Sequence, residues 1–154
     1  LSFDATFPAE KSASKAQVEE KGGRQMVLVT PRPLRSGEAA TIFVGFEAAE
    51  PEQSLDAAAD VVIRLSLVNA EPSRPQESSL ELENTSAHRT FTITAGSYNK
   101  ARIKVQVFQL GPNPDDITVA GGMYVDVDVI AASGTSTSPM TAYTADVTFT
   151  KQTD

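Results

Sequence analysis

The chain contains no cysteine, no tryptophan and a single histidine among its 154 residues. Without cysteine neither a disulfide framework nor a thiolate metal site can form, and cysteine usage carries no mark of the redox compartment. One histidine cannot assemble a multi-histidine zinc site, and any nucleophilic triad would have to pass through it. The missing tryptophan weighs against a glycosidase, whose carboxylate pair usually works in a cleft lined with aromatics. Positive charge is scarce too: 13 Lys and Arg stand against 20 Asp and Glu, a net charge of −7. The basic residues are scattered singly, which disfavours a nucleic-acid partner. No apolar run reaches the roughly 18–20 residues of a membrane-spanning helix. Phosphate-cradling glycine loops are absent, and Gly121-Gly122 reads as a turn.

What the chain does contain is a β-strand alphabet. Arg102-Ile103-Lys104-Val105-Gln106-Val107 and Val125-Asp126-Val127-Asp128-Val129 alternate apolar and polar residues, as strands buried on one face do. The same reading gives strands over 2–7, 25–30, 41–47, 61–68, 79–83, 89–95, 101–110, 123–131 and 143–150. Segment 61–68 is nearly all apolar and reads as a central strand covered on both sides. In 101–110, Ile103, Val105 and Val107 share one face while Phe108 and Leu110 fall on the other, which predicts a bulge or a sheet crossing near Phe108. Pro31-Arg32-Pro33, Glu71 to Pro75, Gly111 to Pro114 and Gly134 to Pro139 punctuate the strands.

These elements predict an all-β protein, a single antiparallel β-sandwich of immunoglobulin-like or jelly-roll-like type. It has about nine strands and at most one short helix. Residues 1–154 fit one domain, with 1–23 a possible N-terminal extension or docking strand. Pro8 to Gly23 reads either as a short helix stopped at Gly22 or as a hairpin turning at Gly22-Gly23. Ser54 to Asp60 could form one helical turn.

Candidates for chemistry are few. His88 falls in an expected turn, where a solvated surface role is the simple reading. Cofactors are expected to be none. The only metal candidates are calcium ligands from Asp115 and Asp116 in one loop with Asp126 and Asp128 on a strand, because calcium takes several hard oxygen ligands. Neither segment has the spacing of a known calcium loop, and the wet face of an ordinary strand explains the second pair equally well. Tyr98 reads either as an exposed binding aromatic or as a corner tyrosine bonded back to the backbone.

The ends carry the strongest functional pattern. Leu1, Phe3, Ala5 and Phe7 alternate with Ser2, Asp4 and Thr6, so the first segment suits a strand that docks on its own domain or on a neighbour. Met140 to Thr150, with Tyr143 ahead of alternating apolar and Thr residues, resembles the closing strand of bacterial fimbrial subunits. The resemblance covers about a dozen residues; the central strands and Pro8 to Gly23 have no matching counterpart. It implies an incomplete immunoglobulin-like sandwich whose groove accepts the N-terminal strand of the next subunit, with Leu1, Phe3, Ala5 and Phe7 as the assembly residues.

The expected function is a non-enzymatic structural subunit of an extracellular, pilus-like surface fibre, self-associating into a fibre or particle. Export is expected because a removed signal peptide would account for Leu1 in first place. Two alternatives stand beside it. One is a monomeric immunoglobulin-like adhesion module that binds a surface protein or glycan through its end loops. The other is a virus or phage structural protein with a jelly-roll fold.

Overall fold

Period-two alternation makes each strand amphipathic, so two sheets must bury their apolar faces against one another. The computed structural model describes residues 21–51, 58–132 and 138–150 and shows that arrangement. The strands are β1 (Lys21–Pro31), β2 (Leu34–Arg35), β3 (Ala39–Phe46), β4 (Ala59–Val68), β5 (Ala70–Glu71), β6 (Gln76–Leu82), β7 (Ala87–Ala95), β8 (Lys100–Leu110), β9 (Ile117–Ile130) and β10 (Met140–Thr150). Sheet one has the order β10-β1-β3-β7-β5 and sheet two the order β2-β9-β8-β4-β6. Long strands pair antiparallel, and the two-residue β2 pairs parallel with β9. Prolines at 31 and 33 end the pairing of β1, since proline has no N–H to donate, and the chain passes there from sheet one to sheet two.

The core follows the alternation. Ile42, Val44 and Phe46 of β3 point inward, as do Leu80 and Leu82 of β6 and Phe91 and Ile93 of β7. They meet Val61, Ile63 and Leu65 from β4 and Ile103, Val105 and Val107 from β8. Phe46 of β3 and Phe149 of β10 contact edge to face, with ring centroids 5.9 Å apart, although β1 lies between their strands in the sheet. Eight of the nine expected strands fall within the described residues and each overlaps an observed one; segment 2–7 lies outside them.

Several local expectations are corrected. Segment 61–68 is covered on one face only: Val61, Ile63 and Leu65 are buried, Val62 and Arg64 are half-buried, and Val68 is exposed. Its apolar richness reflects a central place in the sheet, between β8 and β6, not two covered faces. β8 does not change parity, because Gln109 continues the buried face while Phe108 and Leu110 stay on the outer one. The Arg64 guanidinium lies 5.1 Å from the centre of the Phe108 ring, which gives that outward aromatic a partner. The bulge expected near Phe108 is present, with its extra residue on the opposing strand: Val107 pairs with Gly121 and Phe108 with Val119, leaving Ala120 unpaired. Gly121-Gly122 is therefore inside β9, not a turn.

Gly22-Gly23 is no turn either. Both glycines lie in β1, opposite Phe149 and Thr148 of β10, so the hairpin and the helix stop are ruled out at that point. Most of segment 8–23 lies outside the described residues, as does most of 54–60, of which Ala59 and Asp60 begin β4.

Candidate functional site

Sheet edges are where a β-sandwich exposes unpaired backbone groups, and each edge of this one is treated differently. In sheet two, β6 is short and carries Glu77 and Glu81, while β2 has two residues. β9 pairs with β2 only at Val129 and Ile130, and its bulge distorts the rest of that edge. In sheet one, β5 pairs with β7 only at Ala95 and Thr94. The remaining edge of β7 is laced to β6 by side chains: Arg89 donates to the Ser79 carbonyl at 3.2 Å and Gln76 to the Thr92 carbonyl at 3.3 Å.

β10 is the exception. It pairs with β1 over eleven positions, Lys21–Thr150 to Pro31–Met140, and among the described residues no strand lies on its other side. Asp146 is its one charged residue, and it holds no proline and no bulge. An edge of that length and polarity is a template for another strand.

Two buried polar side chains hold β10 and its end of the sandwich in place. Gln109 of β8 reaches across to Thr150: its Nε2 donates to the Thr150 carbonyl and its Oε1 accepts from the Thr150 N–H, both at 2.8 Å. Arg24, 2% exposed, donates from Nε to the Glu47 carbonyl at 2.9 Å. Its two terminal nitrogens donate to the carbonyls of Glu83 at 2.9 Å and Thr85 at 3.1 Å. Two chain segments at this end, the one that follows β3 and the β6–β7 connection, are thereby tied to one guanidinium. Burial lowers the Arg24 pKa from its ordinary value, and the fixed fork of donors matches the three carbonyls. At the other end of β10, Tyr143 is buried and its hydroxyl accepts from Arg32 at 2.5 Å. Sequence reading missed Arg24 and Gln109. Both share the inward phase of their apolar neighbours, Met26 and Leu28 or Val105 and Val107, and that phase was the available signal.

The expected site residues are distributed as follows. Leu1, Phe3, Ala5 and Phe7 lie outside the described residues. Asp115 and Asp116 sit in the β8–β9 loop, which closes on itself: Gly111 N–H donates to the Asp116 carbonyl at 2.7 Å and Asn113 Nδ2 to the Asp116 carboxylate at 3.1 Å. Asp126 and Asp128 lie toward the far end of β9, roughly 30 Å away at about 3.4 Å per residue, so the structure does not bring the four together. Among the described residues no three acidic or histidine side chains gather as a metal cluster. His88 is in strand β7 opposite Gly45, not in a turn, with its ring 6.0 Å from that of Phe43. Tyr98 is 76% exposed, so it is a free surface aromatic and not a corner tyrosine. Asn69, at φ 60°, binds the Tyr98 and Lys100 carbonyls through Nδ2 at 3.0 and 2.8 Å and so fixes the loop that carries it.

Asp126 and Asp128 have partners of their own. Arg102 grips Asp126 with two bonds, at 2.8 and 3.1 Å, and stacks 4.0 Å from the Tyr124 ring centre. Lys100 meets Asp128 at 2.7 Å. Both carboxyl groups are held below the usual range, chiefly by those hydrogen bonds. A depressed folded-state pKa contributes stability above the unfolded value of about 3.9 and loses it as pH falls through the folded value. Asp126→Asn should therefore lower the melting temperature modestly at pH 7, as suits an exposed pair, and by less as pH falls below about 4, where its curve flattens towards that of the parent. Melts of the variant and the parent from pH 2 to pH 7 check this; parallel curves would show that the pair contributes nothing.

No protein-family profile matches the chain, and no curated protein matches it.

Proposed function

We propose that this chain is a structural subunit that assembles with copies of itself into an extracellular fibre, through strand addition at the free edge of β10. The observation that carries the reading is that edge: eleven residues with one charge, of which Gln109 takes the backbone groups of Thr150 at one end, in a sandwich whose other edges are short, charged, bulged or laced. Leu1, Phe3, Ala5 and Phe7 supply the donor, an amphipathic strand of about seven residues, or roughly 24 Å, which fits within the length of β10. Both sheets already hold five strands and their facing side chains are buried. Donation at an edge therefore suits this sandwich better than insertion between the sheets. Asp126 and Asp128 are each held by a cation of the neighbouring strand β8.

Deleting residues 1–8 should abolish assembly, read as the loss of light scattering and of pelletable material. A peptide of residues 1–8 added in excess should cap the edge and shorten whatever the full chain forms. A deleted protein that still polymerises would rule out this donor.

A second reading is favoured by one observation. Tyr98, 76% exposed, and Val68, 63% exposed, stand at one end of the sandwich on either side of Asn69. A monomeric extracellular recognition module of immunoglobulin-like type would use such an end for a surface protein or glycan. Tyr98→Ala would abolish that binding and leave assembly untouched.

A further inference from the structure

The two outer faces of the sandwich differ in charge. On sheet two the face carries Arg64–Glu77, Lys100–Asp128 and Arg102–Asp126 ion pairs, with N–O distances of 2.7–2.8 Å. On sheet one, two rows cross four strands without an Asp, Glu, Lys or Arg: Thr144, Val27, Gly45 and His88, then Ala142, Val29, Phe43 and Thr90. The next position along β3 and β7 is also neutral, Thr41 opposite Thr92. Val27, Val29 and Phe43 are only half-buried. Around Gly45 they border a hollow of about 410 Å³, whose floor exists because that residue has no side chain. A Cβ there would lie 2.5 Å from the Ala87 carbonyl oxygen.

We infer that this face is a contact between two copies of the chain, packed sheet on sheet. Molecules of net charge −7 repel one another, and approach costs least where acids are few; on this face they are Asp146 and Glu47, the second of which lines the hollow. The face is also self-complementary. Phe43 and Gly45 are two residues apart on β3, so a two-fold axis between them, in the plane of contact and across the strands, lays each Phe43 over the partner's Gly45 hollow. The same axis sets Asp146 opposite Met140 and Glu47 opposite Thr41 of the other copy, so neither acid faces a second acid. Four strands and three rows give roughly 350 Å² per copy, about 700 Å² for a pair. That is well under the roughly 1,200–2,000 Å² of a stable complex, so the contact is weak alone and adds up only among subunits already held close. The inference stands apart from strand donation at β10, since it concerns central strands and needs no fibre.

Sedimentation velocity of the full chain, from micromolar to about millimolar concentration, tests it. The expected result is a reversible monomer–dimer equilibrium. Phe43→Lys and Val27→Lys should each weaken it at least tenfold while leaving the far-ultraviolet spectrum unchanged; two sites guard against one variant misfolding. A monomer throughout, or dimerisation indifferent to both substitutions, would overturn the inference. So would a monomer in which either lysine makes residues 1–20 newly sensitive to protease, because the chain's own first segment would then be the occupant. Loss of fibres with the weak dimer retained, on deleting residues 1–8, would separate this contact from the assembly reading.

Discussion

Arg24→Met should cost about 3 kcal/mol or more of folding stability, which lowers the melting temperature by roughly 6–12 °C for a domain of this size. Methionine keeps much of the volume but removes all three donors, and the carbonyls of Glu47, Glu83 and Thr85 then lose their partner in a site where Arg24 is 2% exposed. An unsatisfied buried acceptor costs about 1–3 kcal/mol. The loss is smaller than three such terms summed, because removing the guanidinium also relieves the cost of burying a charge. Arg24→Lys should fall between parent and methionine, since one ammonium cannot serve three acceptors with the geometry of a planar fork. Calorimetry at pH 7 decides. Equal stability of all three proteins would mean that the carbonyls find water and that Arg24 is no tie.

Gly121→Ala should cost about 2–4 kcal/mol, for two reasons acting at one atom. Its φ of 152° is a conformation that side-chain-bearing residues rarely adopt, and a Cβ would lie 2.9 Å from Val147 Cγ1 and 3.3 Å from the Asp146 carbonyl oxygen. β9 comes close to β10 at this bulge, so the added methyl group pushes on the strand whose edge is proposed to accept a donor. Gly37→Ala separates the two causes. Gly37 has φ 77° and nothing within 4 Å of a built Cβ, so it carries the backbone strain alone, about 1–2 kcal/mol. If Gly121→Ala costs no more than Gly37→Ala, the close approach of β9 to β10 is not a constraint. Chemical denaturation of the three proteins measures the difference.

How far the sequence could be read depended on which interactions carry a local signal. Alternation is local, so the long strands and their inward residues, such as Ile42, Val44 and Phe46, were legible from residue order. β2 and β5 were not, because two residues show no period and their pairing is set by partners far along the chain. Apolarity misled where it was taken for burial: Phe108 and Leu110 lie outward, and Gln109 between them lies inward because Thr150 offers both of its hydrogen-bonding groups. Glycine pairs misled as well. Gly22-Gly23 and Gly121-Gly122 look like turns, yet both pairs sit within strands, and the second is glycine because β10 packs against it. For the candidate site, the amphipathic closing strand could be read, but its being the open edge could not, since edge status is a property of sheet order. The four acidic calcium candidates were placed together by composition alone, and the length of β9 separates them.

Assembly through the free edge of β10 is tested most directly by negative-stain microscopy of the natively purified full chain, alongside its sedimentation profile. Regular filaments, or particles far heavier than the weak dimer, are the result this account predicts. A discrete monomer or simple dimer at every concentration would contradict it and would leave the exposed end around Tyr98 as the surface to screen against glycans and proteins.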